Sequence, residues 1–265
     1  MNPNAQPTFD MPAMECRQPD CVLPFKTTGE ECSILFENWL RKKRFVPSML
    51  KRSAATSGTF KGVYLPFWAY DVHTRTDYKG ESGVNRTIHY TNSKGKTAVR
   101  TETQWHAANG SIDLAFDEVM VPASQTLPAS IVNRLNHWDM ENCVTFREEL
   151  LAGFMTETCQ RDSGECFPDA QKKMESTLDE DIRKEIGGDK QRIHSKNTGY
   201  KPVKYKHLLL PVWMTTFRFN QKYYPFVVSG RTGEVMGDCP KSITKIGMIA
   251  LAVIAATASL IYFLL

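Results

Sequence analysis

Three polar residues in one short segment are the strongest candidates for binding chemistry in this sequence. Asp189, Arg192 and His194 follow a pair of glycines and offer a carboxylate, a guanidinium and an imidazole. Side chains of these types bind ligands or transfer protons when they converge on one pocket. The segment therefore suggests a ligand-binding or catalytic loop, on the condition that the three side chains face a common concave surface.

The short motifs of the well-known enzyme classes are missing. The sequence contains no GxxxxGK[ST] phosphate loop, no GxGxxG turn, no HExxH and no GxSxG. Its six histidines are scattered, and acidic runs such as 179–181 are typical of solvated helix faces. We therefore favour a protein without catalytic activity and expect no cofactor.

Cys16 and Cys21 form a C-x4-C pair, which is half of the ligand set of a structural zinc site. The next cysteine, Cys32, falls on an amphipathic helix, and no fourth ligand stands nearby in the sequence. We therefore expect no metal, with Cys16 and Cys21 as weak candidates. The seven cysteines lack the dense, even spacing of a disulfide scaffold, which favours free thiols.

Two basic clusters offer contacts to an anionic partner, either lipid head groups or nucleic acid. The alternative is that acidic helices balance these clusters elsewhere. With 33 basic against 29 acidic residues the net charge is only +4, which argues against a dedicated nucleic-acid-binding protein. The first cluster comprises Arg41, Lys42, Lys43, Arg44, Lys51 and Arg52, and the second is the alternating run YKPVKYK at 200–206.

Helical and alternating patterns follow one another in a way that predicts an α+β fold. Thr28-Gly-Glu-Glu31 is a capping box that begins a first helix. Alternation over 61–122, with turns at 92–95 and Asn109-Gly110, is typical of an antiparallel meander, and 204–237 behaves alike. A helical pattern over 138–160 and a clear apolar stripe ending at Gly187 lie between them. The predicted organisation is an extended leader (1–27), a helix plus antiparallel meander (28–135), and helices plus antiparallel sheet (136–242).

One motif begins both predicted sheets. Leu65-Pro66-Phe67-Trp68 recurs as Leu210-Pro211-Val212-Trp213. Proline suits the first residue or the edge of a strand because it donates no ladder hydrogen bond, while tryptophan is large enough to fill a core. The repeat favours an internal duplication of one helix-then-sheet unit, and two unrelated strand starts are the alternative.

The last twenty residues, 246–265, contain no charged side chain. A helix of that length is about 30 Å long, which matches the hydrocarbon core of a bilayer. We therefore predict a single transmembrane helix over 243–265, in contact with membrane lipid, and a cytoplasmic body because lysines precede the span. Pairs of small residues in the segment leave homo-oligomerisation open. Its apolar side chains include Ile246, Leu251, Ile254, Leu260 and Phe263.

Several motifs together resemble one family of bacterial membrane proteins. They are GVYLPFWAYD at 62–71, LAGF at 151–154, IGGDKQRIHS at 186–195, KHLLLPVW at 206–213 and TGEVMGDCPKS at 232–242. The family is described as TFIIB-type zinc ribbon-containing, and some members carry the label primosomal protein N′ or superfamily II helicase. The resemblance implies a cytoplasmic body on a C-terminal membrane helix. Only Cys16 and Cys21 stand where the family has its zinc ribbon.

These features favour a membrane-anchored adaptor or scaffold that faces the cytoplasm and holds unidentified protein partners. An enzyme or small-ligand-binding module of unfamiliar type is the first alternative, with Asp189, Arg192 and His194 as its binding residues. A nucleic-acid-binding protein acting through residues 41–52 is the second, although the charge balance makes nucleic acid the less favoured partner.

Overall fold

The structure of the protein, a computed structural model, describes residues 18–48, 50–51, 60–91, 97–132, 134–135, 137–219, 221–240, 242, 247–248, 250–251, 253–257 and 262. The helices are α1 (Gly29–Lys42), α2 (Ala129–Val132) and α3 (Ser163–Ile186), with further helical residues at 48, 50 and 51. The strands are β1 (Cys21–Val22), β2 (Lys61–Thr91), β3 (Thr97–Pro122), β4 (Val144–Thr145), β5 (Met155–Thr156), β6 (Lys190–Phe219), β7 (Lys222–Ser229) and β8 (Val235–Gly237).

The chain divides into two compact units, and each draws on both halves of the sequence. The first unit contains Trp68–Val121 and Arg161–Lys206, and the second contains Gln18–Phe67, Pro122–Gln160 and the residues from His207 onward.

In the first unit, helix α3 packs on a sheet ordered β3-β2-β6. The helix begins at the N-cap Asp162, whose carboxylate accepts the Glu165 N–H at 2.8 Å, and it ends at Gly187, whose φ of 66° favours glycine. The apolar stripe predicted for this helix is buried, and Ile182 and Ile186 contact Tyr78 of β2. This packing orients one face of β2 toward the helix.

In the second unit, helix α1 packs on the last strands. Its capping box is present as predicted: Thr28 Oγ1 accepts the Glu31 N–H, and the Glu31 carboxylate accepts the Thr28 N–H. Phe36 lies in the core with its ring centroid 5.3 Å from that of Phe217 and 4.8 Å from that of Phe226. Strands β6, β7 and β8 are antiparallel neighbours in this unit.

The predicted fold class is wrong about the sheet, which is mixed rather than antiparallel. Strand β1 runs parallel to β6, with Val22 opposite Leu209, and β5 runs parallel to β2, with Val63 opposite Met155. Each parallel strand has only two residues, which is too short to leave a periodic pattern in the sequence. The meander prediction is also wrong at Asn109-Gly110, which lies inside β3. A Cβ at Gly110 would stand 2.7 Å from the Tyr78 hydroxyl oxygen, so this glycine makes room for a tyrosine and not for a turn.

The predicted transmembrane helix over 243–265 is the second error of the fold class. No helix within the described residues is long and apolar enough to cross a membrane. A span needs a continuous helix of about 30 Å, and counting apolar residues does not establish that continuity. The predicted single-pass localisation and orientation fall with it. Of the five named side chains, Leu251 and Ile254 lie at exposed helical positions, while Ile246, Leu260 and Phe263 lie outside the described residues.

The two copies of the Leu-Pro motif lie near the start of β2 and in the last third of β6. Leu65 and Leu210 are both buried, and the prolines behind them both accept a backbone hydrogen bond. The Pro66 carbonyl accepts from Ala123 at 2.9 Å, and the Pro211 carbonyl accepts from Gly230 at 2.8 Å. Ala123 and Gly230 directly follow the last residues of β3 and β7, so each motif lies where the next strand of the chain ends.

Candidate ligand-binding face

Strand β2 presents opposite faces to helix α3 and to solvent. Thr74, Thr76 and Tyr78 are buried, while the odd-numbered residues from 73 to 79 between them are exposed. Because side chains alternate between the faces of a strand, the odd-numbered residues share one face of the sheet. We call this surface the open face. Trp105 of β3 belongs to it, since its ring contacts Gly83, another odd-numbered position of β2.

Two of the three predicted site residues converge on a carboxylate of the open face. Glu81 Oε2 lies 3.5 Å from Arg192 Nη1 and 3.4 Å from His194 Nε2. The Arg192 guanidinium also stands 3.8 Å from the ring centroid of Trp105, a cation–π contact. Arg192 and His194 are both 55% exposed, so each of these contacts stabilises the fold by less than about 1 kcal/mol.

The third predicted residue, Asp189, has a structural contact instead. Its Oδ2 accepts the backbone N–H of Asn85 at 2.7 Å, and its own N–H donates to the Gly83 carbonyl at 2.9 Å. These bonds join the residue directly before β6 to Gly83 and Asn85 of β2. The three residues therefore do not form one site.

A pocket of about 570 Å³ lies on the first unit, further along β6. The space beside Gly199 is open, because the heavy atom nearest to a Cβ built there is the Arg75 carbonyl oxygen at 3.8 Å. Arg75 Nη1 stands 3.8 Å from Asp113 Oδ2, and both side chains are 69% exposed. We call this cavity the Gly199 pocket; its lining residues are His73, Thr74, Arg75, Asp113, Gly199, Tyr200 and Lys201.

Tyr200 connects the pocket to the core of the unit. Its ring stands edge-on to Phe167 of α3, with the centroids 6.3 Å apart. Burial raises the pKa of the Tyr200 hydroxyl, and the nearby Glu175 raises it further. The hydroxyl therefore stays neutral at physiological pH. The ring contact between Tyr200 and Phe167 packs strand β6 against helix α3 at this point.

The first part of β6, residues 190–206, is an outer edge of the sheet. It pairs with β2 on one side, where the Thr76 and Thr198 hydroxyls are 3.0 Å apart. The other partners of β6 in the described residues are β1 at 208–209 and β7 at 212–219. Residues 190–206 contain six lysines or arginines and no carboxylate. We call this segment the basic edge.

Some cations of the basic edge have no acidic partner among the residues that the structure describes. Lys196 Nζ pairs with Asp179 of α3 at 2.7 Å, and Arg192 pairs with Glu81. Lys201 and Lys204 are exposed, and no described carboxylate lies within ion-pair distance of either. The second basic cluster of the sequence is therefore a solvent-facing strand edge.

The first basic cluster mostly serves the end of helix α1. Arg41 pairs with Glu37 one turn earlier at 3.4 Å, Lys43 Nζ stands 4.7 Å above the Trp39 ring, and Lys51 Nζ donates to the Arg41 carbonyl at 3.1 Å. Cations at this position offset the partial negative charge of a helix C-terminus. Lys42 and Arg44 are exposed, and Arg52 lies outside the described residues.

The described cysteines do not form a metal site. Cys21 is a free thiol in β1, and its predicted companion Cys16 lies outside the described residues. Within the part of the chain that the structure describes, no group of three or more His, Cys, Asp or Glu side chains could hold a metal ion. Cys159 is disulfide-bonded, so the expectation of free thiols fails there. Cys32 and Cys239, like Cys21, are free thiols.

A second polar cluster joins two of the loops in the second unit. Arg231 donates from Nη2 and Nε to Asp139 Oδ2 at 2.7 and 3.2 Å. These bonds, with a further one from Asn142, lower the pKa of the Asp139 carboxyl. The short turn after β7 is closed by Ser229, whose Oγ accepts two backbone N–H groups. This arrangement fixes loop geometry.

Sequence reasoning missed Glu81, Trp105, Arg75 and Gly199. The alternation of charged residues along β2 is visible in the sequence and would have indicated an exposed face. Which residues of β3 and β6 lie beside them depends on register, and the sequence does not state the register.

Comparison with known proteins gives one clear relative. The chain is 28% identical over 229 residues to the uncharacterized protein YdjG of Bacillus subtilis (strain 168). The match covers 86% of this chain and 65% of the relative, so the chain spans about two thirds of the relative's length. No family model and no solved structure matches the chain.

Proposed function

We propose that this protein is a non-catalytic adaptor that binds an acidic, extended segment of a partner protein along the basic edge. The observation that carries the proposal is a strand edge with six cations and no carboxylate over 190–206. An extended peptide binds such an edge by adding a strand, with main-chain hydrogen bonds for affinity and side chains for selection.

The charge of the edge supports an acidic partner. Edge strands often carry lysine to discourage pairing, and here the lysines leave the edge accessible to a chain of opposite sign. Complementary charge raises the association rate and rejects basic or neutral competitors. Lys201 and Lys204 are the cations best placed for this role because both are exposed.

The edge is also held in its bound conformation in advance. Thr198 contacts Thr76 of β2, Lys196 reaches Asp179 of α3, and Tyr200 packs edge-on against Phe167. A strand that is already ordered loses little conformational entropy when a peptide adds to it. Most of the conformational entropy lost on binding is therefore lost by the partner segment.

Binding of a labelled peptide with alternating glutamate and valine tests the proposal. We expect saturable binding that weakens between about 0.05 M and about 0.5 M salt, because exposed charges are screened. The double variant Lys201→Glu/Lys204→Glu should bind about tenfold more weakly or worse, equivalent to about 1.4 kcal/mol or more. The matched control Lys42→Glu/Arg44→Glu makes the same charge change at the C-terminal end of α1 and should bind as the wild type does.

Two results would refute the adaptor. One is the absence of binding to any acidic peptide of this design. The other is an equal loss of affinity in both double variants, which would indicate a response to net charge alone. Binding of a single-stranded oligonucleotide that only the α1 variant weakens would favour the nucleic-acid alternative instead.

A further inference from the structure

We propose that the Gly199 pocket binds a glutamate side-chain carboxylate of the segment that docks on the basic edge. This inference rests on the proposed function. It identifies the place on the protein where one residue of the partner segment is recognised.

The position of Gly199 makes the pocket reachable from an added strand. Gly199 lies on the basic edge, so a residue of the added strand would stand about 5 Å from it. The next strand inward, β2, is about 4.8 Å further, and it carries Arg75. With no side chain at Gly199, a glutamate from the added strand can cross β6 and reach the guanidinium.

The charged groups in the pocket fit one carboxylate. Arg75 and Lys201 are cations, and Asp113 is the acidic residue of the lining. The 3.8 Å between Arg75 Nη1 and Asp113 Oδ2 exceeds hydrogen-bond distance. The guanidinium therefore keeps N–H donors for a bidentate carboxylate, the geometry in which arginine binds this group most strongly.

The other polar groups narrow the choice of ligand. His73 adds an imidazole beside Arg75, and the Tyr200 hydroxyl stays neutral, so neither repels an anion. Asp113 opposes a second negative charge in the same space, which disfavours a phosphate dianion relative to a single carboxylate. The pocket thus selects one glutamate and not a run of acidic residues.

The first test uses matched peptides and matched variants. A peptide in which a single glutamate is replaced by glutamine, scanned along the sequence, should lose about fivefold or more in affinity at one position only. Arg75→Gln should remove that preference. Lys79→Gln, on the same strand and face but outside the pocket lining, should retain it.

A second test does not depend on the partner segment. N-acetylglutamate amide, added to the intact protein at millimolar concentration, should shift the backbone NMR signals of Thr74, Gly199 and Lys201. N-acetylglutamine amide should not. Inorganic phosphate that shifts these signals at lower concentration than the glutamate compound would overturn the choice of a carboxylate.

The two tests separate this inference from the adaptor function. Signal shifts at the pocket without binding of any acidic peptide support the pocket and refute the adaptor. Peptide binding that shows no position with a glutamate preference, or a preference that survives in Arg75→Gln, refutes the pocket and leaves the adaptor in place.

Discussion

Trp213 donates a hydrogen bond from its indole Nε1 to the backbone carbonyl of Thr27 at 3.0 Å. Trp68 does the same to the carbonyl of Arg161 at 2.9 Å. Thr27 and Arg161 each stand directly before a helix N-cap that carries a capping box, Thr28 for α1 and Asp162 for α3. Both copies of the Leu-Pro-x-Trp motif thus tie a long strand to the start of a helix.

Loss of the Trp213 donor should destabilise the protein. Trp213→Phe keeps an aromatic ring but removes the N–H that the Thr27 carbonyl accepts. We expect the free energy of unfolding to fall by about 1–2 kcal/mol, measured by urea denaturation. Tyr223→Phe is the control: its side chain is 68% exposed, and its variant should lie within about 0.5 kcal/mol of the wild type.

The two N-caps should contribute similar amounts. Thr28→Ala and Asp162→Ala each remove a side-chain acceptor for the N–H of the third helical residue, so each should cost about 1 kcal/mol by the same assay. Ser176→Ala, on an exposed part of α3, removes a hydroxyl that caps nothing. A loss in Ser176→Ala as large as in the cap variants would contradict the role assigned to the caps.

Stability should fall as the pH rises above about 9. Burial raises the pKa of the Cys166 thiol to about 11, and that of Cys239 likewise. Between pH 9 and 11 the unfolded chain releases these protons and the folded chain retains them, so unfolding becomes more favourable with pH. Cys166 should account for up to about 2 kcal/mol, since one pKa unit corresponds to about 1.4 kcal/mol.

Cys166→Ala checks the assignment of that slope. It should flatten the loss of stability between pH 9 and 11, while between pH 6 and 8 the variant and the wild type should have parallel profiles. The buried Tyr70, whose pKa is also raised by desolvation, remains in both proteins and leaves part of the slope. Identical slopes above pH 9 would show that Cys166 is not responsible.

Replacing two glycines of the first unit by alanine should have different effects on stability. A Cβ at Gly80 would stand 2.3 Å from the Arg192 carbonyl oxygen, a backbone atom that cannot move aside without separating β2 from β6. Gly80→Ala should cost more than about 2 kcal/mol or prevent folding. At Gly199 the nearest atom is 3.8 Å away, so Gly199→Ala should fold normally, as circular dichroism and thermal unfolding would reveal.

Removing the charge of Arg231 should raise the pKa of the Asp139 carboxyl. In Arg231→Gln the Asp139 carboxyl loses the hydrogen bonds and the charge that depress its pKa, so an NMR titration should find a higher value. In the wild type this interaction stabilises the fold above the carboxyl's ordinary pKa and is lost as the pH falls below it. An unchanged Asp139 titration would contradict the pairing.

Helices α1 and α3 could be predicted from sequence because their signals are local. The capping box at Thr28 and the buried stripe ending at Gly187 lie within a few residues of the bonds they make. The helix predicted over 138–160 is wrong for the opposite reason. Phe146, Leu150 and Phe154 have helical spacing, but Leu150 lies on a short 3-10 helix (Glu148–Leu151) and the other two lie in loops. All three pack around Tyr64.

The candidate site was only partly predictable. Arg192 and His194 stood out as residue types, yet their common partner Glu81 lies more than a hundred residues earlier in the chain. The basic run at 200–206 was visible as charge, but the sequence could not show that it forms an outer strand edge. Both facts follow from the pairing of β6 with β2, and long-range pairing is set by the register.

The lysines of the basic edge have a consequence for how copies of this protein behave in concentrated solution. Two such edges that approach each other carry like charge, and this repulsion opposes the backbone-to-backbone association by which exposed strands aggregate. At about 1 M salt the Debye length is only about 3 Å, so the repulsion disappears. The protein should therefore remain dispersed in dilute buffer and self-associate at high salt. Its solubility should fall, and not rise, as salt is added.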